Sequence, residues 1–183
     1  MKESVNLVLR ELDDTLSLLD ETQFMNLVTQ MKQSRRVVVV GVGRVMLSLK
    51  AWVKRFKHLG IDINYFGSET EASVGPLDLV IVASSSGETI IPKVISAKAR
   101  ELGAKVFYIG CTPDSTVGKI ANYHLILQGQ TKLKLETEYK SKQPMSTLIE
   151  QQIYLLGDIL TAYMMRTEGI KETVVIQRHA NLE

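Results

Sequence analysis

A single cysteine, Cys111, is all that the 183 residues contain, so an internal disulfide and any zinc site built on cysteines are excluded. It reads as a small buried residue. No apolar run approaches the roughly 18 residues needed to cross a membrane. The first stretch, MKESVNLVLRELDDTLSLLD, carries acidic residues and helical spacing where a secretory signal needs a basic start and an unbroken apolar segment. With neither present, the cytoplasm is the expected compartment. Charge of one sign is not in excess either: the formal net charge is +2, and the densest basic patch, residues 50 to 58 (KAWVKRFKH), alternates with apolar residues as an amphipathic helix does. A solvated helix face is the expectation there, not a nucleic-acid surface. Low-complexity tracts, Pro/Gly-rich linkers and fixed-period repeats are all missing. A composition of 45% hydrophobic and 23% charged residues then describes one globular domain.

What is there is a regular alternation. Val5, Leu9, Leu12, Leu16 and Leu19, and then Phe24, Leu27, Val28 and Met31, recur every three or four positions and predict two amphipathic helices before residue 34, packed on the remainder of the domain. Val37 to Val40 form a β-branched run that suits a parallel strand covered on both faces. Strands over 37–40, 61–66, 77–82, 105–109 and 124–127 then alternate with helices over 45–59, 90–102 and 115–121. Gly60, Gly103 and Gly110 mark the joints between them. That order means βαβ units, and so an α/β fold: a flavodoxin/Rossmann-like three-layer α-β-α sandwich with a five-stranded parallel sheet. Within this single domain, 1–34 supply N-terminal helices and 35–128 the parallel core. After the polar connector TKLKLETEYKSKQ, residues 144–183 hold a long helix over about 145–166 and a short C-terminal piece.

Ligands of open α/β sheets bind at the carboxyl ends of the strands. Two glycine-bearing junctions lie there. The first, Gly41-Val42-Gly43-Arg44, falls short of a dinucleotide fingerprint, because Met46 occupies the third glycine position and no acidic residue closes the next strand. The second, ASSSGET at 83–89, is better stocked. Ser84, Ser86 and Thr89 offer hydroxyls, and the helix after them offers unpaired N–H groups and its positive dipole end, an arrangement suited to a phosphate. Gly87 lets the backbone approach a ligand. A plain Ser/Thr cap with Glu88 in the first turn is the other reading of the same residues, although three hydroxyls at i, i+2 and i+5 exceed what one cap requires. The lysine of a nucleotide-binding P-loop is absent.

SxSGET after one strand, with GxGR after another some 40 residues earlier, resembles the sugar isomerase (SIS) domain family. VVVVGVGR, KHLGIDINYFGSET, SSSGET, PMSTLIEQ and QRHANLE also fall in the order and spacing of the 6-phospho-3-hexuloisomerase branch. The resemblance implies interconversion of D-arabino-3-hexulose 6-phosphate and fructose 6-phosphate through an enediol, a step of the ribulose monophosphate pathway. It implies a sugar phosphate as ligand, a homo-oligomer (dimer or homotetramer) with sites near its interfaces, and neither cofactor nor metal. It also assigns phosphate binding to Ser84, Ser86, Gly87 and Thr89, substrate binding to Gly43 and Arg44, carbon-proton abstraction to Glu150, and transfer of the oxygen-linked proton to His179.

The residues alone are less specific. Glu150, between Ile149 and Ile153, is either a surface carboxylate on an amphipathic helix or a buried one made a stronger base by burial. His179, near a chain end, would ordinarily be frayed and solvated, while His58 and His124 fit core or surface roles. Where the family continues after the arginine with serine and glycine, this chain has Val45 and Met46. A hydroxyl is thereby lost beside the sugar phosphate and a bulky apolar group is expected there, with Ser48, one turn on, as a substitute donor. A non-catalytic phosphosugar-binding protein and an isomerase of another sugar phosphate are therefore the alternatives. A DNA-binding regulator would add a helix-turn-helix domain, for which 34 residues before the first strand leave little room.

Overall fold

A computed structural model describes residues 1–182. Five parallel strands, β1 (Val37–Val40), β2 (Ile63–Tyr65), β3 (Leu79–Ala83), β4 (Lys105–Gly110) and β5 (Tyr123–Ile126), hydrogen-bond in the order β2-β1-β3-β4-β5. Each expected strand is found within a few residues. The β2 strand shrinks most, since after Tyr65 the chain turns through Gly67. Helices α1 (Lys2–Leu16) and α2 (Glu21–Gln33) precede the sheet. Next come α3 (Gly43–Leu59), α4 (Ile90–Glu101), α5 (Thr116–Ile120), α6 (Thr147–Glu168) and α7 (Glu172–Gln177).

Alternation along the strands sorts the core into two halves, because successive side chains point to opposite faces. Val37, Val39, Ile81 and Ile109 face a cluster built with α2, α3 and α6, including Leu27, Trp52, Phe56 and Ile153. Val40, Val80, Val82 and Val106 face a smaller cluster with Ala99 of α4 and Val117 of α5. The result is the three-layer sandwich that β-branched, doubly buried strands require. At the amino ends of the strands, Arg35 grips Asp78 through two hydrogen bonds of 3.0 and 2.7 Å, and Arg36 reaches Asp62 at 2.9 Å. Among the described residues no helix is long and apolar enough to cross a membrane.

Two expectations need correction. Periodicity placed Val5 and Leu9 against the domain, yet both are exposed, and the residues of α1 that are buried are Glu11 and Thr15. The reason lies in the polar connector, which is an ordered strap docked on α1. Glu11, 4% exposed, accepts from Ser141 Oγ (2.7 Å), Lys142 N (2.7 Å) and Gln143 Nε2 (3.0 Å). Burial opposes its charge, but those hydrogen bonds outweigh it and hold the carboxyl below the usual glutamate range. Cys111 is only partly buried in area. Even so, its surroundings, with the charge of Glu138 adding to desolvation, push the thiol up to about 12.

Candidate active site

In the order β2-β1-β3-β4-β5 the chain passes from β1 to β2 on one side and then crosses back to β3 on the other, so the switch point lies between β1 and β3. Clefts of such sheets open there, at the carboxyl ends. Both glycine-bearing junctions flank it: 41–43 leads from β1 into α3, and 84–89 leads from β3 into α4.

The 84–89 loop is held from beneath and from the side. Tyr108, fully buried on β4, donates its hydroxyl to the Ser84 carbonyl at 2.9 Å, and burial pushes its ionisation up to about 12. Cys111 N donates to the Ser85 carbonyl at 2.9 Å. Gly87 has φ +64°, and a Cβ there would collide with Ser115 and Tyr108, so both the turn and the space demand glycine. Glu88 does not remain at the first turn of α4. Its carboxylate accepts from Thr116 N at 2.7 Å and from Thr116 Oγ1 at 2.9 Å, latching the loop to α5. These bonds, with Lys93 Nζ at 3.3 Å, hold the Glu88 carboxyl below its ordinary range.

The hydroxyls separate the two readings of the loop. Thr89 is the N-cap residue of α4, but its side chain makes no capping hydrogen bond. It accepts instead from Ser84 Oγ at 3.3 Å, while Ser84 Oγ receives Gly87 N at 3.2 Å and Ser86 Oγ receives Glu88 N at 3.3 Å. A simple cap would have spent Thr89 on a first-turn N–H, as Asp20 is spent on Gln23 N in α2. Here the hydroxyls preform a cup, and the first turn of a twelve-residue helix opens into it uncapped.

Glu150 lies in the first turn of α6 and comes to the start of α3. One carboxylate oxygen pairs with Arg44 Nε and the other accepts from Ser146 Oγ at 3.2 Å. Its side chain is 13% exposed against 65% for Arg44, so the acid is fixed and mostly shielded while the guanidinium stays open to solvent. Arg44, Ser48, Glu150, Gln151, Tyr154 and Leu47 line a cavity of about 290 Å³. Ser48 is not a spare hydroxyl donor, since it donates to the backbone carbonyl of Glu150 at 2.9 Å and tethers α6 to α3. Nor does Val45 hang over the 84–89 cup. It is 8% exposed and packs into the core beside Gly41 and Leu49. Gly43, at φ +56°, opens α3 two residues earlier than the sequence pattern indicates.

His179 lies elsewhere. It comes after α7, its ring centroid is 5.0 Å from that of His58 near the end of α3, and its Nδ1 is 2.9 Å from the Ala180 carbonyl. From Arg44 to His58 the rise of about 1.5 Å per residue spans on the order of 20 Å. Within one chain, then, Glu150 meets Arg44 and Ser48 but not His179. His58 is buried, and His124 Nε2 is 2.8 Å from the Gly118 carbonyl. Sequence reasoning missed Tyr108, Ser115 and Ser146, which act on the site from β4, α5 and the turn before α6. Only the Ser preceding TLIEQ, as a candidate first-turn partner, left a local trace.

No family model matches the chain. A 3-hexulose-6-phosphate isomerase of Bacillus subtilis, however, is 30% identical over 176 residues, covering 96% of this chain and 95% of that protein. The chain belongs to the 3-hexulose-6-phosphate isomerase family. A second relative of that name, from Mycobacterium gastri, is 28% identical over 180 residues, with 98% and 90% of the two chains covered. Among solved structures, a hypothetical protein from Methanococcus jannaschii, for which a 3-hexulose-6-phosphate isomerase function was inferred, superposes with a TM-score of 0.84. It is 25% identical over 99% of both chains.

Proposed function

We propose that this chain isomerises D-arabino-3-hexulose 6-phosphate and fructose 6-phosphate. The observation that carries this reading is the pairing of a hydroxyl-lined, uncapped helix terminus at 84–89 with a shielded, doubly held carboxylate, Glu150, at the same switch point. The phosphate binds the cup, with Ser84, Ser86 and Thr89 donating and the α4 dipole favouring the dianion. Glu150 takes the proton from C2, leaving an enediolate across C2 and C3, and returns it to C3. The hydroxyl proton on O2 passes to O3 through His179, and Arg44 faces the developing oxyanion. Gly43 lets the chain turn close to the sugar as it enters α3.

Because His179 is remote from Glu150 in one chain, it acts in the site of a second copy, within a closed dimer or tetramer. Exposed Val5 and Leu9 of α1 and an apolar groove between α2 and α6, lined by Phe24, Met25, Ile159 and Tyr163, are surfaces for such an assembly. The reaction belongs to the ribulose monophosphate pathway, and the cytoplasm is its compartment. One assay decides: with D-arabino-3-hexulose 6-phosphate as substrate, fructose 6-phosphate formation is tracked by a coupled dehydrogenase. Turnover supports the reading. Absent turnover, a rise in melting temperature with fructose 6-phosphate would instead favour the binding-protein alternative, which the valine and methionine at 45 and 46 first raised.

A further inference from the structure

The carboxyl end of α3 carries an arrangement that the proton transfers themselves do not use. Gly60 ends the helix at φ +89°, and a Cβ built there would stand 2.5 Å from Nη1 and 2.9 Å from Cζ of Arg178. The guanidinium therefore occupies the space that a side chain would fill. Its Nη1 donates to the His58 carbonyl at 3.3 Å, one of the last carbonyls of a helix, which have no partner of their own within it. A cation at that end also complements the helix dipole. Arg178 is the residue immediately before His179 and the C-cap of α7, and the ring of His179 comes to rest against that of His58.

We propose that Arg178 is a positioning residue for His179: seated in the notch left by Gly60, it fixes an exposed chain end so that the histidine is presented in one orientation. The need for such a device comes from the tail's own weakness. The α7 helix has six residues and buries only Val175, far less than a helix needs to hold itself together in water. Without the guanidinium the last turn frays, and a proton-transfer group misplaced by about an ångström loses on the order of a hundredfold in rate. This inference rests on the assignment of His179 to the oxygen-linked proton transfer.

The experiment compares kcat and KM for Arg178→Ala, Arg178→Lys, His179→Ala and the double variant, with the melting-temperature rise caused by fructose 6-phosphate measured on each. Arg178→Ala is expected to lower kcat about tenfold to a hundredfold with KM nearly unchanged and the ligand-induced rise intact, since the phosphate cup is remote. Arg178→Lys should recover only part of the rate, because a single ammonium cannot reproduce a planar fork. The double variant should be no slower than His179→Ala, as befits a residue that acts through its neighbour. If His179→Ala is inactive while Arg178→Ala turns over like the wild type, the positioning role is overturned and the His179 assignment stands. If His179→Ala keeps full turnover, the assignment fails and takes the inference with it. A double variant well below both singles would also overturn it.

Discussion

The two ends of α3 differ in what they hold. Its amino end meets α6, where Arg44 pairs with Glu150 and Ser48 tethers the same residue's backbone. Its carboxyl end meets the segment after α7, where Gly60 makes room for Arg178 and His58 lies beside His179. The first end is built from long helices and the sheet, the second from a single short helix and a tail. The carboxylate proposed as the base, Glu150, thus lies on the more heavily packed part. The oxygen-linked proton transfer proposed for His179 would then fall on an exposed segment that buries little of its own and is held by the Arg178 guanidinium.

The comparison breaks most sharply at its amino end. Glu150→Gln keeps the shape and removes the base, so kcat should fall by about a hundredfold to ten-thousandfold. The rise in melting temperature with fructose 6-phosphate should persist, and loss of that rise would mean that Glu150 serves binding. The next effect tests whether the two ends serve one site from two chains. Glu150→Gln and His179→Ala, inactive apart, should recover about a quarter of wild-type activity when co-expressed in random pairs, since one site in a mixed pair is whole. No recovery from a stably mixed oligomer would overturn the site shared between copies.

Smaller changes sharpen the picture. Tyr108→Phe removes one of the two donors to the Ser84 carbonyl, Gly87 N at 3.2 Å being the other, and should cost about 0.5–1.5 kcal/mol in denaturant titrations. It should also weaken the fructose 6-phosphate effect, while kcat at saturation stays within a few-fold. Val45→Ser should destabilise by about 1–3 kcal/mol without raising turnover, because the side chain belongs to the core. A gain in rate would show that the hydroxyl reaches the substrate. The smallest effect is a pH dependence at the strap. The Glu11 carboxyl is held below its unfolded value, so its contribution to stability is complete above the ordinary glutamate range and fades as pH falls through the lower, folded value. Glu11→Gln should flatten that part of the stability-pH curve.

Much of this was legible in the sequence where the signal is local. β-branched runs and helical spacing gave away all five strands and the helices between them, and the hydroxyls of 84–89 sit within six residues. The Arg44–Glu150 meeting spans 106 positions, and only the family resemblance brought those two together. Tyr108 and Ser115 were not legible, because a loop's supports come from whichever elements the sheet order brings beneath it. For α1 the pattern misled: spacing tells which residues share a face, whereas the strap that binds Glu11 decides which face turns inward.

Cys111 carries a practical consequence. With its thiol pushed up to about 12, almost none of it is thiolate at neutral pH, and the chain has no other cysteine. A second cysteine introduced on an exposed surface, such as at Asn181 beside the terminal histidine, can therefore carry a spin label or fluorophore over a nearly silent background. In the proposed assembly, one such label on each copy would make the distance between the two tails one that spectroscopy can read.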